Sequence, residues 1–466
     1  MNQTIASPSR EIPRIPATSL LLGNLREFIA DPTGFLLELG NEYDEIVESR
    51  MLMYRSSMLV HPQAIEHVLH RNHTNYDKNV FDYRMLKLRL LGNGLLTNDG
   101  ADWLRQRRLS QPAFHRKRMA GYGLAMRDCT RLLVQRWERE AVGEVLDIGE
   151  EMAALTLQIV GRALFSRDLT GDADEIGAAL AEANHLMTER LLSGLPPWVN
   201  FTPRDFKLKK AARRLWAVVD AMIAERMADA SSAASIKDAG DADAPADLLS
   251  MLMSARDESG QAMSPRQLRD EILTLLLAGH ETTATALTWT FHLLAQNPEA
   301  LQHLEQEVDV SVRDGAPAFD DLAKLPYTRM ALEESMRLYP PAWSIARRAI
   351  QADTIMGYRI PAGAVLYMNP LVTHRHRSFW DEPLAFRPER FSPENRKSQM
   401  PYAYFPFGGG PRLCIGADFA LAEMTMILAG IVSRFRLRST RAEVKMQGLI
   451  TLRPVDGMPM RIELRT

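Results

Sequence analysis

Phe407-Gly408-Gly409-Gly410-Pro411-Arg412-Leu413-Cys414-Ile415-Gly416 carries one sulfur, a guanidinium two residues before it and glycines on both sides. Glycine lets a backbone approach a flat group closely and take positive φ without a side-chain clash. The apolar run from Ile415 past Leu421 and Met424 reads as a helix that begins near the cysteine. A helix N-terminus favours an anion, so a thiolate at Cys414 would be stabilised there. A cysteine after a Gly-Pro turn is more commonly a small apolar filler. A loop cysteine can also be a phosphatase nucleophile, but that chemistry needs an arginine six residues on, where this chain has Ala420.

The composition bounds the remaining readings. The chain has 466 residues, 46% hydrophobic and 24% charged, which is ordinary for a globular protein. A net charge of −2 argues against a nucleic-acid binder. Two cysteines, Cys129 and Cys414, make no disulfide framework and suit a reducing cytoplasm. No apolar run approaches the roughly 20 residues that span a bilayer, and Met1–Pro8 lacks a charged-then-apolar leader pattern. Residues 1–18 read as a Pro/Ser-rich arm over the surface, and 19–466 as a single domain. Helical periodicity covers 147–166, 176–192, 205–229, 265–296, 298–312 and 324–338. Strand-like pieces fall at Ile46–Glu48, Ser57–Val60, Thr354–Ile360, Val365–Met368 and Leu449–Leu452, and Asp229 to Asp247 reads as a mobile surface loop between two helices.

Three further constellations carry chemistry. Glu334-Ser335-Met336-Arg337 places an acid and a base on one helical face, ahead of a Tyr339-Pro340-Pro341 stop. Such a pair on a surface is worth only about 0.5 kcal/mol. Leu275-Leu276-Leu277-Ala278-Gly279-His280-Glu281-Thr282-Thr283 sets a glycine, an acid and two threonines inside a long apolar helix. Glycine there costs about 1 kcal/mol against alanine, and a local rule broken in this way suggests a site. The threonine hydroxyl is able to bond a carbonyl one turn back and bend the helix, which opens space for water. His280 has no second ligand at metal spacing and points about 100° away from Glu281, so it stays outside the site. Trp103 and Arg107, four apart, present only donors and so suit carboxylates.

The loop at Cys414 matches every fixed position of Phe-x-x-Gly-x-Arg-x-Cys-x-Gly, and in this it resembles the haem-binding loop of the cytochrome P-450 family. The order of the other motifs is similar too, over nearly the whole chain. The resemblance implies a mainly α fold with a smaller β region, in which haem b lies between the long pore helix and the helix after the cysteine loop. It implies Cys414 as the axial iron ligand, within a site that includes Phe407, Gly408, Gly416, Ala278 and Gly279. Trp103, Arg107, Arg412 and Arg348 (preferred to Arg347 for its spacing to Asp353) would clamp the propionates. Thr282 would stabilise the activated oxygen while Glu281 relays protons from solvent. Glu334, Arg337 and Arg390 would form a buried structural triad. A thiolate pushes electron density onto haem iron and favours O–O cleavage. The implied activity is therefore that of a monooxygenase, which places one atom of dioxygen in a small apolar substrate by hydroxylation or epoxidation.

Only 52 residues follow Cys414, too few for a fused flavin reductase. Electrons are expected from NAD(P)H through a ferredoxin or flavodoxin and its reductase, to a soluble, cytoplasmic monomer. Arg105 and Arg108, with Arg116, Lys117 and Arg118, are the expected basic docking patch. Alternatives are a peroxide-driven peroxygenase or isomerase on the same fold, which tend to lose the acid–threonine pair kept here, or a non-catalytic haem or ligand binder. The resemblance places Phe81, Tyr83, Met85, Leu186, Met187, Trp198, Trp343, Leu449 and Ile450 in an apolar pocket, with Arg84 a weak candidate for a substrate carboxylate.

Overall fold

The computed structural model describes residues 10–166, 173–193, 199, 201–235, 247–312 and 315–465. Their strands, in chain order, are β1 (Ile46–Met51), β2 (Tyr54–Leu59), β3 (Tyr76–Asp77), β4 (Val145–Asp147), β5 (Ile345–Ala349), β6 (Asp353–Ile355), β7 (Tyr358–Ile360), β8 (Val365–Met368), β9 (Phe435–Ser439), β10 (Met446–Gly448), β11 (Leu452–Pro454) and β12 (Pro459–Leu464). The fold is mainly helical, with small sheets, and its contacts separate two compact units.

The first unit comprises Met1–Asp82, Glu333–Cys414 and Lys445–Val455. Its main sheet has the order β1-β2-β8-β5-β3, with β2 and β8 parallel and the other pairs antiparallel. Alternation sends Leu59, Ala349, Leu366 and Met368 to one face, where they bury against Ile65, Leu69 and Phe405. β6 and β7 make a hairpin through Met356 and Gly357, both at positive φ (50° and 84°). That is the backbone a two-residue turn needs to match strand twist. The N-terminal arm is stitched to the sheets: Ile15 N–H donates to Glu48 O, Glu48 N–H to Pro13 O, and Arg10 N–H to Gly357 O.

The second unit comprises Tyr83–Leu332, Ile415–Val444 and Asp456–Thr466. The Pro265–Gln296 helix runs through it, started by Pro265 and by the Ser264 side chain, which accepts from Gln267 N–H. It packs against the Ile148–Phe165 helix, where a Cβ on Gly279 would lie only 3.1 Å from Val160 Cγ2. The Ala417–Val432 helix, buried along almost its whole length, also packs on it. A short sheet β4-β12-β9 completes the unit.

Every expected helix is present, Pro265–Gln296 at the expected ends. Three expectations need correction, and one long helix was missed. Thr354–Ile360 is not one strand but the β6–β7 hairpin. Leu449–Leu452 is not one strand: β10 and β11 pair as a hairpin, and residues 449–451 form its turn. The loop after Asp229 starts later, because the Pro203–Ser235 helix continues; residues 236–246 lie outside the described ones. The Arg116–Glu140 helix is not among those the periodicity predicts, although Met119, Tyr122, Met126, Cys129, Leu133 and Trp137 bury at three- and four-residue intervals. Its charged residues hide that stripe from a reading by composition.

Candidate functional site

Cys414 closes a tightly determined loop. Its N–H donates to Phe407 O (3.0 Å), Leu413 N–H to Gly410 O (3.0 Å) and Gly408 N–H to Phe405 O (2.9 Å). Gly408 and Gly410 have φ of +75° and +62°, and a Cβ on Gly410 would collide with the Leu69 carbonyl. Only glycine fits there. Gly416 is different: its φ is −94°, and it serves as N-cap of the Ala417–Val432 helix. Phe407, Gly408, Arg412 and Gly416 are half-buried, whereas the Cys414 side chain is exposed. It is therefore not the apolar filler that an isolated cysteine would suggest.

In the same unit, Glu334, Arg337 and Arg390 come together. Arg337 Nε and Nη2 donate to the two Glu334 oxygens at 2.7 and 2.8 Å, and both side chains are fully buried. Arg390 Nε donates to Glu334 Oε1 at 3.3 Å. Arg337 also donates to the carbonyls of His374, Pro383 and Ala385, and Arg387 N–H to Glu334 Oε1. His374, which the sequence did not single out, accepts from Phe405 N–H at 2.9 Å. Burial, aided by Arg337, pushes its imidazole down to about 3.

In the second unit the middle of the Pro265–Gln296 helix is accessible at one place. Ala278 is exposed and Gly279 and Thr282 are half-buried, although the residues on either side are buried. Thr282 Oγ1 donates to Ala278 O at 2.7 Å, the predicted bond one turn back, and the helix continues unbroken. Gly279 is explained by close packing on Val160. Glu281 is 4% exposed and accepts from Asn184 Nδ2 of the Ala173–Leu192 helix, a partner no local pattern reveals. Glu423 is fully buried, and burial raises its carboxyl well above the ordinary range, with Thr283 opposing.

The four candidate propionate donors are all half-buried, Trp103 and Arg107 on the Gly100–Ser110 helix, Arg348 on β5 and Arg412 in the cysteine loop. Arg348 also donates to Asp77, from Nε at 3.1 Å and Nη2 at 2.5 Å. Arg347 is buried and donates to Ala346 O. The docking expectation fails at Arg105. Its guanidinium is taken up by Asp257, Gln267 and the carbonyls of Gln261 and Ala262. Arg108 pairs with Glu258 on the surface, and the side chains of Arg116 and Lys117 lie outside the described residues.

Among the expected pocket residues, Phe81, Tyr83, Trp343, Leu449 and Ile450 are half-buried, while Met85, Leu186 and Met187 are core. Trp198, with Pro196 and Pro197, lies outside the described residues, and Arg84 is exposed.

The sequence model of the cytochrome P-450 family matches residues 13–456. The chain belongs to the cytochrome P-450 family. This P-450 is 36% identical over 448 residues to cyclooctatin synthase of Streptomyces melanosporofaciens, covering 94% of this chain and 93% of that one. It is 36% identical over 434 residues to cyclooctat-9-en-7-ol 5-monooxygenase of the same organism (91% and 89% covered). It is 32% identical over 447 residues to leukotriene-B4 omega-hydroxylase 3 of Mus musculus (93% and 83% covered). The P-450 is a monooxygenase whose family cofactor is haem iron. Its own residues fit that group: an exposed thiol ends a glycine-lined loop, and a donor-only guanidinium stands two residues away. No described helix is long and apolar enough to cross a membrane.

Proposed function

We propose that this P-450 takes two electrons per turnover from NAD(P)H through a separate ferredoxin or flavodoxin and its reductase, as a cytoplasmic monomer. It inserts one oxygen atom into a C–H or C=C bond of a cyclic, largely hydrocarbon substrate that already carries an oxygen. The other oxygen atom leaves as water with two protons. The exposed Cys414 at the end of its glycine-lined loop carries this reading. The name of one relative, with its unsaturated alcohol, supports the substrate class.

Cys414 Sγ would hold the haem iron, with Trp103, Arg107, Arg348 and Arg412 as donors to the propionates. Bound haem supplies reductive activation of dioxygen. Thr282 Oγ1, its proton turned to Ala278 O, offers its lone pairs to a donor and serves as the proton-handling group of this accessible stretch of helix. Glu281 is held by Asn184 and would pass protons to it after a side-chain movement. Ala278 contributes only a methyl, which leaves that stretch free of a larger side chain.

The test supplies purified P-450 with a ferredoxin, its reductase, NADPH and labelled dioxygen over a panel of cyclic terpene hydrocarbons and alcohols. Product carrying one labelled atom per NADPH consumed is expected. Equal turnover from hydrogen peroxide alone, or no electron-dependent product with any member, would overturn it.

A further inference from the structure

The Pro203–Ser235 helix packs on the second unit with one face only. At about 100° per residue Leu208, Ala211, Leu215 and Val219 fall together, and all four are buried. Phe206, Lys210, Arg213 and Ala217 fall opposite them, and all four are exposed. The stretch 204–214 holds six cations, Arg204, Lys207, Lys209, Lys210, Arg213 and Arg214, and every one is exposed. The whole chain carries −2, so this is a local excess and not the background of the protein.

Little nearby neutralises it. The facing Ala173–Leu192 helix offers Glu189 to Arg204 at 3.1 Å and Glu182 to Arg214 at 3.7 Å. Asp205, the acid within the stretch, is buried and paired with Arg190, and Asp220 further along pairs with Arg269. Among the described residues Lys207, Lys209, Lys210 and Arg213 meet no acid.

Large apolar side chains stand in water at the same end of the helix. Phe201 is 72% exposed and Phe206 61%. This is not fraying. Arg190 donates from Nε to Asp205 Oδ1 at 3.1 Å and from Nη2 to Val199 O at 2.9 Å, and Thr202 Oγ1 donates to Asp205 Oδ2 at 2.6 Å. A buried ion pair thus holds the chain on both sides of Phe201. Arg89 Nη2 also donates to Val199 O (3.0 Å) and Trp216 Nε1 to Leu90 O (3.0 Å), which ties the Lys87–Leu91 segment to this end. In that segment Leu88 is 62% exposed. Exposed apolar groups beside unneutralised cations are the two halves of a membrane-surface site: the rings enter the boundary between headgroups and acyl chains, and the long basic side chains reach the phosphates.

We propose that this end of the helix, with Leu88, Phe201 and Phe206 among the cations of residues 204–214, binds the surface of anionic lipid bilayers without spanning them. Lys207, Lys210 and Arg213 meet the lipid phosphates, and the apolar side chains anchor the contact. Such binding goes beyond the monooxygenase reading and does not depend on it; a bilayer is also where apolar compounds concentrate.

The test follows co-sedimentation of the full-length protein with vesicles of phosphatidylcholine alone, and of phosphatidylcholine and phosphatidylglycerol in equal parts. The parent is expected to bind the anionic vesicles more tightly by on the order of tenfold or more, and to lose most of that preference at about 0.5 M salt. The triple variant Lys207→Gln, Lys209→Gln, Lys210→Gln is expected to weaken the anionic binding by on the order of a hundredfold. The double variant Phe201→Ser, Phe206→Ser is expected to weaken it by on the order of tenfold. Should the double variant not fold, Leu88→Ser reads the same apolar contribution. No binding by the parent, or undiminished binding by the lysine variant, would overturn the proposal. Full binding by the phenylalanine variant would overturn it too, since the surface would then be a purely electrostatic one suited to an acidic protein. Sedimentation needs neither haem nor turnover, so its outcome stands apart from that of the monooxygenase reading.

Discussion

At Thr282 the hydroxyl proton is committed to the Ala278 carbonyl, so the oxygen is left to accept. That leaves it able to accept a hydrogen bond, which fits the proposed proton-handling role. Thr282→Ala is expected to retain haem and ligand binding but to divert reducing equivalents into hydrogen peroxide. Peroxide formed per NADPH measures this, and tight coupling in the variant would remove the role. Residues such as Cys414, Glu334 and Thr282 were legible because each belongs to a short motif whose spacing is itself the chemistry. Asn184 and His374 were not. Their partners Glu281 and Phe405 come from other elements, and no local periodicity records such a meeting.

At the scale of elements, the start of the Pro265–Gln296 helix pins the loop that leads into the Gly100–Ser110 helix. Asp270 accepts from Asn93 N–H at 2.8 Å, and Glu271, fully buried, accepts from Leu95 N–H at 2.9 Å. Burial, opposed by Leu95 and aided by Asp270, pushes the Glu271 carboxyl up to about 8. The folded protein therefore holds a proton that the unfolded chain releases above its ordinary value of about 4.5. The stabilisation is complete below that value and is lost as pH rises through about 8. Glu271→Gln is expected to flatten this slope and to raise stability above pH 8 by on the order of a few kcal/mol, since each tenfold change in proton affinity is worth about 1.4 kcal/mol. Denaturant melts across pH check it, and an unchanged slope would contradict the assignment. The Pro265–Gln296 helix was legible end to end. The short strands were less so: β5 holds two arginines, and β10–β11 turns within a stretch that reads as continuously extended.

For the molecule as a whole, the buried Glu334 cluster ties the helix segment Glu333–Leu338 to the chain around residues 374–390. Removing one partner strands a buried charge, at a cost of about 3–5 kcal/mol. Glu334→Ala is expected to lose most of its haem and to melt early, read as haem per protein and thermal midpoint; full haem content would contradict a structural role. The fold class was legible because the helical periods and the order of the motifs agree along the whole chain. The docking surface was not. Charge alone could not tell a free arginine from Arg105, whose acceptors lie more than 150 residues away in sequence. The central claim is that Cys414 binds haem iron through a thiolate. It is tested most directly by the absorption spectrum of the reduced, carbon-monoxide-bound protein. The parent is expected to show the strongly red-shifted Soret band of a thiolate-ligated ferrous carbonyl, and Cys414→Ser to lose it; the same band in both proteins would contradict the account.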